Sequence, residues 1–181
     1  MTRPETVAER VTRLRDDFDR SFAEPARVFD DENIELLAVR AGDRPYAIRL
    51  AQASGVHPER PVTALPTTVG ALLGVAGYAG VVVPVYDLAA LLGHPIPQRP
   101  RWLLLTAGAP PLTLAFHELE RHLRVPATDV IAGTVDSAGR HGCLHGMVRL
   151  ADGNRPIVDV PATRELVHQL AGHRPVSEES R

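Results

Sequence analysis

A mainly β domain, folded as small barrels or a sandwich, is what this 181-residue sequence predicts, and three observations carry the prediction. Short apolar runs recur along the chain with Gly- and Pro-rich turn signals between them, the pattern of compact all-β folds. The composition is 44% hydrophobic but only 4% aromatic, so the core must be built from Val, Leu, Ile and Ala, material that suits strands as much as helices. One plan also occurs twice. GVVVPVYDLAALL from Gly80 and GNRPIVDVPATREL from Gly153 each run Gly, strand, Pro, apolar pair, Asp and short helix.

An extension over residues 1–32 precedes the strands, and residues 6–23 within it read as a helix. Thr6 and Glu9 have capping-box spacing, which lets hydroxyl and carboxylate satisfy each other's backbone N–H groups. Val7, Val11, Leu14, Phe18 and Phe22 recur at three- or four-residue steps and make one apolar stripe. Asp16 and Arg20 pair on the polar side, and Pro25 ends the helix. The stripe either packs on the chain's own domain or pairs with another helix, a second copy of the chain included.

From Ile34 the periodicity changes. Ile34 to Arg40, the turn Ala41-Gly42-Asp43-Arg44 and Tyr46 to Leu50 predict a hairpin. Val62 to Leu65 and Leu72 to Val75 are short apolar runs between breakers. Val81 to Val85 reads as a strand, followed by a one-turn helix that Asp87 caps and Gly93 stops. Trp102 to Thr106 and Leu112 to Phe116 flank a Gly-Pro turn. In the repeated plan, Pro84 and Asp87 recur as Pro156 and Asp159: the proline needs no ladder donor, and the aspartate leaves the strand to cap the helix behind it. Two similar subdomains follow, about 33–100 and 101–172, with 173–181 a disordered tail.

Several function classes drop out. The formal net charge is −2, with all 20 basic residues Arg and scattered, so no basic face for nucleic acid is expected. Ala71 to Tyr86 is uncharged but too short for a membrane helix and interrupted by glycines and Pro84, so two strands around a turn fit better than a span. The single cysteine, Cys143, excludes an internal disulfide and favours a reducing compartment. The N-terminus carries no apolar core of signal-peptide length, which points to the cytoplasm.

Catalytic motifs are sparse. There is no Walker loop, HExxH, GxSxG or helix-opening GxGxxG. His141, Cys143 and His145 stand at two-residue steps and define the one metal-enzyme alternative, while Asp136, Ser137 and His141 make a poor hydrolase triad. His117 and His122 read as a solvated polar surface. Asp87 and Asp159 have structural work as helix caps rather than catalytic work. No enzyme activity, metal or other cofactor is expected.

The stretch Gly74 to Gly93, GVAGYAGVVVPVYDLAALLG, resembles the G-V-x-N-x-R-G-x-x-x-P-V-x-D-L pattern of the CheW family of chemotaxis adaptors. YAIRL at Tyr46, LAFHELERHLRVP at Leu114 and GMVRLADGNRPIVDV at Gly146 support the resemblance in the family's order, from about Ile34 to Leu170. It implies two five-stranded SH3-like barrels packed through a shared apolar core. The function it implies is coupling of methyl-accepting receptor tips to the regulatory domain of a CheA-like histidine kinase; a scaffold in a different or degenerate signalling complex is the alternative. Partner-binding residues on this reading are Leu72, Leu73 and Val75 facing Phe116, Leu119 and Leu123 across a groove between the barrels, with Gly74, Tyr78 and Gly80 in the contact stretch around the turn. The departures concern charge. Gly77 stands where the family has Asn, Ala79 where it has Arg, Ala53-Ser54-Gly55-Val56 lacks the usual acidic residue, and Phe116-His117 replaces a Val-Asp pair. The nearest arginines in sequence are Arg60 and Arg99, so apolar and backbone contacts centred on Tyr78, with weak salt dependence, are expected.

Overall fold

The computed structural model describes residues 33–96, 99–134 and 142–172. The expected N-terminal helix, the tail 173–181, and Asp136, Ser137 and His141 lie outside the described residues. Among the described residues there are eleven strands: β1 (Asn33–Ala41), β2 (Arg44–Arg49), β3 (Ala53–Pro58), β4 (Leu72–Tyr78), β5 (Val81–Asp87), β6 (Trp102–Thr106), β7 (Thr113–Phe116), β8 (Glu118–Pro126), β9 (Val130–Thr134), β10 (Leu144–Val148) and β11 (Arg155–Val158). Helix α1 (Leu88–Leu91) follows β5 and helix α2 (Val160–Gly172) follows β11. The mainly β class therefore holds, in two sheets ordered β8-β1-β2-β11-β10-β9 and β3-β6-β7-β5-β4.

The duplicated plan is physical. Asp87 N–H donates to Ala71 O and Asp159 N–H to Cys143 O, both at 2.8 Å. Asp87 Oδ1 accepts from Ala90 N at 2.9 Å and Asp159 Oδ1 from Ala162 N at 3.1 Å, so each aspartate caps the helix behind its strand. Gly74 and Gly146, equivalent positions in the two copies, both have positive φ, and both sit at a register shift in their strand pairs.

The two sheets do not each take their strands from one copy alone. Hairpin β1–β2, from the first copy, joins the second copy's sheet through parallel pairing of Ala47 with Ile157. Hairpin β6–β7, from the second copy, joins the first copy's sheet through parallel pairing of Thr113 with Val85. A parallel neighbour needs a crossover connection, and the passage through α1 delivers the next hairpin beside β5. Repetition in the sequence is tandem while pairing in space is exchanged. The run Val62 to Leu65 is not a strand, contributing only the bridge of Thr63 to Val75.

Among the described residues, buried side chains form three clusters. The largest core cluster lies between the sheets, with Leu37, Val39, Tyr46 and Ile48 from one meeting Tyr86, Leu104, Leu114 and Phe116 from the other, along with Leu88, Leu92 and Val167. A second cluster (Tyr78, Val83, Val85, Leu103) and a third (Leu36, Val125, Val148, Ile157) complete the interior. Charged β8 forms one sheet edge and is fixed by ion pairs: Glu120 takes Arg155 at 2.5 Å and Arg40 at 3.4 Å, and Asp152 takes Arg121 at 2.6 Å. Arg155 is only 8% exposed, so Glu120 compensates a charge that is costly to bury alone. Arg121 holds the Asp152 carboxyl below the usual range.

Candidate functional site

The β4–β5 hairpin closes with Tyr78 opposite Val81 across a two-residue turn, Ala79-Gly80. Both turn residues have positive φ, 47° and 83°, the signature of a type I′ turn. That geometry suits Asn-Gly, and Ala79 adopts it at a cost. Next to the turn Val82 faces Gly77, which has no side chain to cover it. Val82 is 68% exposed and Val81 54%, a pair of adjacent apolar side chains left in water.

The segment leading from β3 to β4 folds onto this hairpin. Glu59 has φ 48°, so among the described residues the two non-glycine positions with positive φ, Glu59 and Ala79, are both at this locus. Strain of this kind persists only where surrounding structure over-determines it. Glu59 N–H donates to Arg101 O at 2.7 Å, and its carboxylate takes Arg101 at 3.0 Å. The next residue, Arg60, lays its guanidinium over the Tyr78 ring, 4.4 Å from the centroid, and donates to Gly77 O. The His57 ring packs against Tyr78 with centroids 5.2 Å apart. Thr63 then exchanges two backbone bonds with Val75, at 2.8 and 2.9 Å. Together Thr63 and Arg60 occupy the outer edge of β4, a strand edge otherwise open to pairing.

On the other side of the valines runs an apolar groove of about 350 Å³, lined by Val81, Val82, Pro84 and Tyr86 of β5, by Pro110-Pro111-Leu112, and by Val167, His168 and Ala171 of α2. Its far wall is pinned by Arg164, which donates to Thr106 Oγ1 at 3.0 Å, to Ala107 O at 2.6 Å and to Pro110 O. Burial pushes the Tyr86 hydroxyl pKa up, so it stays neutral. A concave apolar strip with fixed walls suits the apolar face of a protein segment.

Of the residues expected to face one another across a groove, Leu72, Phe116 and Leu119 share one cluster, whereas Leu73 and Leu123 belong to two others. Phe116 is 1% exposed in the central core, and Leu73 joins Tyr78 in the second cluster. Val75 pairs with Pro84 and bridges to Thr63, while Gly74 is buried with no space for a Cβ. Tyr78 is 7% exposed beneath Arg60 and His57, and its hydroxyl has no hydrogen-bond partner among the described residues; Gly80 is exposed at the turn. Arg60, distant from Ala79 in sequence, is carried by the β3–β4 connection onto Tyr78. His117 is not solvated: both ring nitrogens are buried without partners, near the buried Asp87. Burial raises the Asp87 pKa, opposed by the Ala90 bond and by His117.

Cys143 does not converge with His145. Its side chain is in the central core, where burial pushes the thiol pKa up and away from the thiolate a metal needs, whereas His145 is exposed. Among the described residues no cluster of His, Cys, Asp and Glu could hold a metal ion, and no helix is long and apolar enough to cross a membrane. Arg60, Val81 and Val82 are the site residues that sequence reasoning missed. Val82 opposite Gly77 was the available signal; Arg60 had none.

Comparison with known proteins gives a consistent picture. The family model described as CheW-like domain matches residues 35–167. The probable chemotaxis protein CheW of Rhizobium etli is 34% identical over 74 residues, 40% of this chain and 48% of that protein. The chemotaxis protein CheW of Rhizobium meliloti is 32% identical over 59 residues, 33% of this chain and 38% of that protein. The matched stretches thus span half or less of these relatives. The scaffolding protein TtCheW from Thermoanaerobacter tengcongensis has a similar fold, with TM-score 0.64 at 12% identity, covering 70% of this chain and 89% of that one.

Proposed function

This chain belongs to the CheW-like domain family, and from that premise we propose that it is a non-catalytic coupling adaptor of the chemotaxis type, working in the cytoplasm. It joins the regulatory domain of a CheA-like histidine kinase to methyl-accepting receptor tips, and it turns over nothing itself. The observation that carries the reading is the exposed Val81–Val82 pair opening into a pinned apolar groove, on a fold of this family. Such a surface costs solubility unless a partner covers it. Burying two valines and the proline wall removes enough apolar area for a few side chains to dominate affinity.

The test is reconstitution. Receptor-bearing membranes, kinase and this chain are mixed, and kinase bound to the sedimented membranes is measured. Recruitment that depends on this chain is expected. Kinase that sediments equally without it refutes the adaptor role.

A further inference from the structure

The apolar groove beside Val81 and Val82 contains one imidazole, that of His168. Arg164, His168 and Ala171 follow one another at four- and three-residue steps along α2 and so share one face of the helix. His168 and Ala171 line the groove opposite Val81, Val82 and Pro84. Arg164 is engaged by Thr106 Oγ1, Ala107 O and Pro110 O. Few other groups around the ring can carry charge. Across the groove β5 supplies Tyr86, kept neutral by burial, and Pro110-Pro111-Leu112 supplies nothing that ionises. On α2 itself Glu165 lies one turn back but lines a different cavity, with Gln52 and Gly108. Among the described residues no carboxylate pairs with His168, and its side chain is exposed. Histidine is the side chain that ordinarily changes charge between about pH 5 and 8. Under an apolar cover a neutral imidazole is tolerated, whereas an imidazolium loses its water with no carboxylate to compensate it.

We propose that His168 makes docking in this groove pH-dependent: the neutral imidazole admits the apolar segment of the protein partner, and the protonated ring rejects it. The proposal rests on the adaptor reading above and adds the regulation of that surface. Binding and protonation are reciprocal, so a partner that covers the neutral ring opposes its protonation, and acidification weakens coupling.

The experiment measures dissociation constants of the full chain for the kinase regulatory domain and for a receptor-tip fragment between about pH 8 and about pH 5.5. Wild type, His168→Gln, His168→Arg and Val82→Ser are compared, and thermal melts at each pH verify that they fold. For the partner that Val82→Ser weakens, wild-type affinity is expected to fall about tenfold more across this range than that of His168→Gln. His168→Arg, charged throughout, is expected to bind weakly at every pH. If wild type and His168→Gln change in parallel, the responsible proton lies on the partner or at the buried Asp87, and the proposal is wrong while the adaptor reading stands. Binding by His168→Arg as tight as wild type near pH 8 likewise overturns it, as does wild-type binding that tightens in acid relative to His168→Gln, because the partner then offers the ring a carboxylate. If Val82→Ser weakens neither partner, this groove is not the docking surface and the proposal falls. If wild type binds neither partner at any pH, the adaptor reading falls and takes this proposal with it.

Discussion

Replacing Gly74 by Ala should be among the most damaging single changes in this domain. A Cβ at Gly74 lies 2.1 Å from Thr63 O, 2.7 Å from Thr63 C and 2.9 Å from Ala64 Cα, all backbone atoms that cannot rotate away. The φ of 141° is itself strained for any L-residue. Relief requires the β3–β4 connection to move outward by more than an ångström, on the order of the overlap. That breaks both Thr63–Val75 backbone bonds, at roughly 0.5–1.5 kcal/mol each. With backbone strain of about 1–3 kcal/mol added, the expected loss is about 2–6 kcal/mol. Urea unfolding should show a lower midpoint with an unchanged slope. Gly77→Ala is the control: nothing lies within 4 Å of its added Cβ, so it should stay within about 0.5 kcal/mol of wild type. A Gly74→Ala protein as stable as Gly77→Ala refutes the packing account, and with it the claim that this connection is locked onto β4.

Ala79→Asn should stabilise by about 0.5–1 kcal/mol, since Asn tolerates the left-handed conformation of a type I′ turn; an unchanged midpoint in urea contradicts this. Asp87→Asn keeps the cap but removes a buried charge. Because the folded pKa of Asp87 is raised, wild type is penalised above that pKa and recovers stability as pH falls through it towards the unfolded value near 3.8. The variant should therefore melt at or above wild type near neutrality and lose that advantage in acid, and a variant that melts lower at neutral pH contradicts the desolvation account. A chain beginning near Asp30 should fold and keep its melting temperature. Aggregation of that truncated chain would mean that the stripe Val7–Phe22 belongs to the core.

Strand content was legible where side chains alternate or run apolar. IELLAVR and YAIRL became β1 and β2, and the Pro84–Asp87 exit was readable because proline and aspartate have narrow positional uses. Strand β8 was not legible. Its sequence ELERHLRVP looks like solvated surface, and its charges find partners in Arg40, Arg155 and Asp152 only once it lies at the sheet edge. The hairpin exchange was invisible for a related reason, since a repeat shows equivalence but not which copy pairs with which. At the site, Tyr78 was rightly tied to the turn, but its Gly flanks suggested exposure, whereas Arg60 and His57 cover it. Arg60 reaches Tyr78 only through the left-handed step at Glu59, a conformation that glutamate does not advertise in sequence.

The most direct test of the central claim is the dissociation constant of the kinase regulatory domain and of the receptor-tip fragment for wild type against Val82→Ser. Val82 is 68% exposed and opposite a glycine, so the substitution leaves folding intact. The account predicts measurable binding by wild type and a loss of about tenfold or more in Val82→Ser for at least one partner, as expected of a side chain at the centre of a buried contact. Equal affinities of wild type and Val82→Ser for both partners would contradict it.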